Sequence, residues 1–329
     1  MYNLNSNYGK AMAAGLHSLV PAFGRVFIVT ASGDAGEERF DRLQQMFRPD
    51  PKGQVRFYTS LETAYDDATS NNNDIILLDG DGTHTVASGI TWSKNRVNVM
   101  GMDGGDRLIQ QGAKIQLATN TVDTTATITV SGIRNSFRNL KIMNSGTHAN
   151  SVAAVIGNGD EGTLWKNCTF QKLSDLGETA VSDFECRSDS SSFIDCEFGF
   201  STLVITAARR SLWFKASGAT RAKDCRWRNC RFVVCSSSAT YNFIDVDTTA
   251  SLAFSTIFDN CIFEAVLTST GSAITNAVQS VSGLVEGQMS FINPAAFHCT
   301  NFCDTVTDQV HIIGPVPTGA TTGLAVVAS

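Results

Sequence analysis

The densest run of groups able to do acid–base chemistry is Asp183, Glu185, Arg187 and Asp189, four charges at alternate positions. Every second residue of a strand shares a face, so the run predicts one row of charge. Carboxylates in such a row can hold a metal or serve as acid and base, and an arginine can help abstract a proton. Asp195 and Glu197 follow close behind. A solvated strand face carries the same pattern, and a working pair needs neighbours from other segments. No lyase signature accompanies the run, so no residue is assigned a catalytic role.

Other polar clusters point to structure. Asp79-Gly-Asp-Gly-Thr-His84 lacks the further oxygen ligands and closing glutamate of a calcium loop and reads as a turn. The histidines, His17, His84, His148, His298 and His311, have no metal-ligand spacing. Nucleophile-elbow, phosphate-loop and dinucleotide motifs do not occur. Cys225-x4-Cys230-x4-Cys235 and Cys299-x3-Cys303 lack the two-residue knuckle of a zinc site, which favours buried, reduced thiols over a structural metal. No cofactor and no metal is expected. Arg209-Arg210, with Arg221 and Lys223, is either a loop lining that meets an acidic partner or ordinary solvated charge.

Composition narrows the scaffold that must position these groups. Only 17% of residues are charged and 43% are hydrophobic, with Gly, Ser, Thr and Asn plentiful, which suits short strands and turns. A net charge of -6 argues against a general nucleic-acid partner. No apolar run is long enough to cross a bilayer, and Met1 to Lys10 lacks a secretory leader's pattern, so neither a membrane partner nor Sec export is expected. Nine cysteines, all after residue 167, do not suggest a disulfide-stapled module.

The organisation emerges from a repeat. Phe137-Arg-Asn-Leu-Lys-Ile142, Trp165-Lys-Asn-Cys-Thr-Phe170, Phe193-Ile-Asp-Cys-Glu-Phe198, Trp227-Arg-Asn-Cys-Arg-Phe232 and Phe258-Asp-Asn-Cys-Ile-Phe263 align, with their Asn/Asp positions 28, 28, 34 and 31 residues apart. A period near thirty with variable loops marks one supersecondary unit stacked on itself. Alternation sends Leu140, Cys168, Cys196, Cys230 and Cys261 inward as one file and Ile142, Phe170, Phe198, Phe232 and Phe263 as another. Lys141, Thr169, Glu197, Arg231 and Ile262 between them point outward. Asn139, Asn167, Asp195, Asn229 and Asn260 sit at a turn, where side chains can bond to the backbone and to one another up the stack. After Phe263, Ser290-Phe-Ile-Asn293 and His298-Cys-Thr-Asn-Phe302 compete for the next rung, with Pro294 disfavouring a regular strand. Seven or eight coils fit the length, at roughly thirty residues each.

The ends differ from the stack. Residues 1–53 read as an arm with one strand, Arg25 to Thr30, and a short helix, Glu37 to Phe47, but no core of its own. Its apolar residues Leu16, Leu19, Val20, Phe23 and Phe27 are expected to dock on something else. The solenoid occupies 54–313 and begins with a strand, Val55 to Tyr58, and a helix capped by Thr59 and Glu62 with Leu61, Ala64, Tyr65 and Ala68 on one face. Residues 314–329 form an extended tail, with Val316 and Leu324 as docking candidates.

The helix-strand entry from Leu61 to Leu78 followed by Asn-Cys-x-Phe rungs resembles the pectate-lyase-like superfamily of right-handed, single-stranded parallel β-helices, an all-β fold. That superfamily includes lyases, hydrolases, adhesins and inert viral parts, so the resemblance carries no activity by itself. Phe57 to Tyr65, Ser70 to Ile76, Trp92-Ser-Lys-Asn-Arg96 and the ending from Val316 resemble more narrowly the β-helix structural and capsid-decoration proteins of tailed phages. This resemblance implies a non-enzymatic protein of the virion, assembled in the host cytoplasm and bound to the major capsid protein or another virion protein. It also implies a homo-oligomer, a trimer by preference. The alternative is a carbohydrate-active β-helix such as a tail-spike depolymerase or receptor-binding protein.

Overall fold

The computed structural model describes residues 24–31, 41, 55–80, 82–102, 112–174, 179–266, 273–280, 287–304 and 310–315. Every pairing between its strands is parallel, and each coil pairs with the equivalent strand of the next. The result is a right-handed β-solenoid of about 7 turns. Each coil has three faces. The first precedes the Asn/Asp turn, the second follows it, and the third includes Ala126–Val130, Ala153–Glu161, Ser182–Asp189, Arg210–Phe214 and Asn242–Val246.

The predicted files are all present. Cys168, Cys196 and Cys230 are fully buried, Cys261 nearly so, and all four are free thiols. Their S–H groups find carbonyls within the stack, as when Cys168 donates to the Phe137 and Lys166 oxygens at 3.4 Å. Phe198 lies on Phe232 with ring centroids 4.7 Å apart, and Phe232 on Phe263 at 4.9 Å. A further internal file runs through the first motif position. Phe137, Trp165, Phe193, Trp227, Phe258 and Phe291 stack in turn, with Phe193 and Trp227 4.6 Å apart and their ring planes nearly parallel.

Each Asn/Asp of the repeat takes the left-handed conformation, with φ between 52° and 55° at Asn139, Asn167, Asp195, Asn229 and Asn260. Such residues reach this region with less strain than other L-residues because their short polar side chains bond locally. The side chains form a broken ladder: Asn167 Nδ2 donates to Asn139 Oδ1 at 3.0 Å, and Asn229 Nδ2 to Asp195 Oδ1 at 3.2 Å. The left-handed residue also explains the inward aromatic file, because it resets strand alternation between the first and fourth motif positions.

The next rung is Ser290-Phe-Ile-Asn293. Phe291 pairs with Phe258, and Asn293 has φ 48° and donates toward Asn260 Oδ1. Pro294 fits because it stands just past the turn, at the cysteine position, and the ladder bond there is made by the Ala295 N–H to Cys261 O. The His298 segment instead forms Cys299–Cys303 on the third face.

Two expectations at the amino end need correction. Val26–Val29 is no part of a free arm: it lies between Val55–Tyr58 and Ile75–Leu78 as a strand of the first face. Phe27 is fully buried in the main core and unavailable for docking. Asp74 fixes this insertion by accepting from the Arg25 N–H at 2.7 Å and its guanidinium at 2.9 Å. The helix, Leu61–Asp67, is capped by Ser60, one residue later than expected, and Glu62 instead accepts from the Ala87 N–H. Its other end is closed by Lys94, whose ammonium donates to the carbonyls of Tyr65, Asp66 and Ala68. Leu61, Ala64, Tyr65 and Ala68 face the core as expected, closing the first coil. Leu16, Leu19, Val20, Phe23, the 37–47 helix apart from Asp41, Val316 and Leu324 lie outside the described residues.

Candidate functional site

The charge-rich strand Ser182–Asp189 belongs to the third face. Phe184 and Cys186 point into the core, so Glu185 and Arg187 lie on the opposite side of the strand, where Glu185 is nonetheless buried. The expected single row of four does not form. Asp183 is almost fully buried at the corner between the second and third faces, where it accepts from the Lys172 N–H at 2.8 Å. Arg209 and Lys172 lie beside it, and Arg209 donates to Lys172 O at 2.7 Å. Burial pushes the Asp183 carboxyl up to about 7, against the opposing pull of Arg209, the Lys172 N–H and Ser211. Asp189 pairs with Lys223 at 3.0 Å at the other end of the strand.

What stands along the outer third face is a row with one member per coil: Ile156, Glu185, Trp213, Asp245 and Gln279. Trp213 was not singled out by its sequence context, and neither was Asp245. Glu185 is bonded to Arg187 and Asp245 to Arg210, the latter at 2.6 Å. Arg210 also lies 4.3 Å from the Trp213 ring centroid, and the Lys215 ammonium 4.1 Å from it. Burial raises the Asp245 carboxyl above the usual range, opposed by Arg210 and reinforced by Asp247 and Asp304. Arg209 and Arg210 are therefore neither solvated nor a loop lining: one braces the corner and the other neutralises Asp245.

The row sets an indole between two carboxylates, but Glu185, Trp213 and Asp245 are all buried, so none of them is presented to solvent. Glu185 and Asp245 are separated by two coil steps, about 10 Å at ordinary strand spacing. That is slightly wider than an inverting glycosidase pair, and each carboxylate already holds a guanidinium. Asp195 and Glu197 do not join the row. Asp195 is in the Asn ladder, and Glu197 lies on the second face, bonded to Arg231 at 3.1 Å. His84 bonds the Asp79 carbonyl at 3.0 Å, which supports a turn there.

No family model matches the chain, and no curated protein matches it. Solved structures do. Similarity to the deglycosylated pectin methylesterase of Aspergillus niger extends over 91% of this chain and 86% of that one, at 15% identity and TM-score 0.54. The pectin methylesterase of Erwinia chrysanthemi is similar over 89% of this chain and 93% of that one, at 13% identity and TM-score 0.50. The ORF18 protein of Geobacillus virus E2 is similar over 97% of this chain and 63% of that longer one, at 11% identity and TM-score 0.53. At these identities the likeness establishes the fold, a right-handed parallel β-helix.

Proposed function

We propose that the protein is a non-enzymatic structural part of a phage virion, a rigid β-helix that decorates the capsid. The observation that carries this reading is the internal pairing of the charges best suited to catalysis: Asp183 at the Lys172–Arg209 corner, Glu185 with Arg187, Asp189 with Lys223, and Asp245 with Arg210. Glu185 and Arg187 are partners within one strand, while the Asp189–Lys223 and Asp245–Arg210 pairs tie neighbouring coils, and these carboxylates form no opposed acid and base among the described residues. The likeness to a virus protein over 97% of the chain is consistent with it. Docking is assigned to residues 1–23 and to the tail from 316, with the major capsid protein or another virion protein as partner and a trimer as the assembly. Because Val26–Val29 is a strand of the sheet, a truncation that tests docking must stop before Arg25. Removal of residues 1–23 is expected to leave a folded protein with unchanged Tm that no longer binds the particle. Retained binding overturns the docking role.

A second reading, a carbohydrate-active β-helix, is favoured by the two pectin methylesterase neighbours, while the Glu185–Trp213–Asp245 row that would serve it is buried. Incubation with methylated pectin and with polygalacturonate separates the two. The structural reading predicts no methanol, no new reducing ends and no unsaturated products. Turnover abolished by Glu185→Gln or Asp245→Asn establishes the enzyme.

A further inference from the structure

The three outer faces treat their cations differently. On the second face Arg231 is bound by Glu197 and Glu264, while Lys141 is buried beside Lys114, and on the third Arg187 and Arg210 hold Glu185 and Asp245. The first face is otherwise. Flanking its stacked aromatics on successive coils are Ser136 and Arg138, Leu164 and Lys166, Ser192 and Ile194, Arg226 and Arg228, and Ile257 and Asp259. These positions carry four cations and one carboxylate, Asp259, which is bonded to Arg226 at 3.0 Å. Lys166 and Arg228 are exposed, with no side-chain ion pair or hydrogen bond among the described residues. Arg138 Nε is buried and has no partner either.

Arg138, Lys166, Ile194 and Arg228 occupy one file, one residue per coil. Coils stacked at about 4.8 Å therefore set the charges in a straight line along the solenoid axis. We infer that this file binds an acidic polysaccharide chain laid along the stack, its carboxylates meeting Arg138, Lys166 and Arg228. The sheet fixes the backbone positions from which the cations project, so binding has to order only the side chains themselves. Ile194 within the file, and Leu164 and Ile257 in the file beside it, are aliphatic. They suit the apolar faces of sugar rings, whereas single-stranded nucleic acid is ordinarily held by aromatic platforms. A net charge of -6 also disfavours a broad duplex, while a single thin chain meets only the stripe. This site is on a different face from the Trp213 row and does not depend on whether that row turns over substrate.

The test uses the full-length protein and fluorescently labelled polygalacturonate oligomers, with affinity measured across a salt series. The expected result is salt-sensitive binding that weakens at least tenfold in Lys166→Glu/Arg228→Glu, at unchanged Tm because both side chains are exposed. Lys215→Glu, on the third face, is expected to bind like the unaltered protein. No binding by the unaltered protein at low salt overturns the inference, as does equal affinity for fully methylated pectin. A double variant that binds as tightly as the parent overturns it too. Loss of binding in Lys215→Glu alone moves the glycan to the third face, and tighter binding of DNA than of the oligomers changes the partner class; both refute the assignment.

Discussion

Two corners of each coil turn through the same left-handed backbone conformation, and their sequences could hardly differ more. Between the first and second faces the residues are Asn139, Asn167, Asp195, Asn229, Asn260 and Asn293. Between the third and first faces they are Arg96, Arg134, Gly162, Ser190, Asp224 and Phe254, with φ between 47° and 65°. Their alignment is fixed by the ladder, for instance by the pairing of Lys223 with Ala253 just before Asp224 and Phe254. At the first corner the side chain is part of the structure, bonding the equivalent residue one coil away. At the second corner most of the side chains are exposed, Phe254 most conspicuously. A conformation leaves a sequence signature only where the side chain, and not the backbone alone, has something to do.

That difference orders the effects expected from mutation. The largest belongs to neither corner but to the stack both corners hold in register. Phe232→Ala removes a ring packed between Phe198 and Phe263 and is expected to cost about 3–5 kcal/mol in denaturant unfolding. At the ladder corner, Asn229→Ala loses the bond to Asp195 and leaves a Cβ residue with no local compensation at φ 53°. Its expected cost is about 2 kcal/mol, from one hydrogen bond and one left-handed alanine. Asn229→Gly is expected to recover roughly half of that loss, since glycine removes the backbone strain but not the missing bond. At the exposed corner, Phe254→Gly relieves the strain of a bulky left-handed residue and should be neutral or stabilising by less than about 1 kcal/mol. If Phe254→Gly destabilises as much as Asn229→Ala, the second corner has a specific side-chain role and the comparison fails.

The same reasoning explains how much of the molecule was legible in its residues. Asn139 to Asn260, the cysteine file and the Phe170–Phe263 file were readable because each position does one repeated physical job. The inward turn of Phe137, Trp165 and Trp227 was not, because simple alternation puts the first and third motif positions on one side and ignores the left-handed residue between them. Asn293 was obscured by Pro294, whose fit depends on a turn that only the stack reveals. The insertion of Val26–Val29 between later strands has no local signal, since any short apolar strand would read alike. The candidate site was half visible. Glu185 and Arg187 follow strand alternation, but Asp183 was drawn into a corner by Lys172 and Arg209, and Trp213 and Asp245 come from coils whose third-face strands carry no shared motif.

The account stands or falls on the internal cysteine file, because a slip of one residue in the register would turn Cys168, Cys196, Cys230 and Cys261 to the outside. Alkylation of the native protein followed by peptide mass mapping measures this directly. Cys303, the one cysteine that is only half-buried, is expected to react first, and the four file cysteines only at the rate of unfolding, becoming fully reactive in denaturant. Rapid native labelling of all four file cysteines, at the rate of Cys303, would contradict the stacked register and with it the solenoid described above.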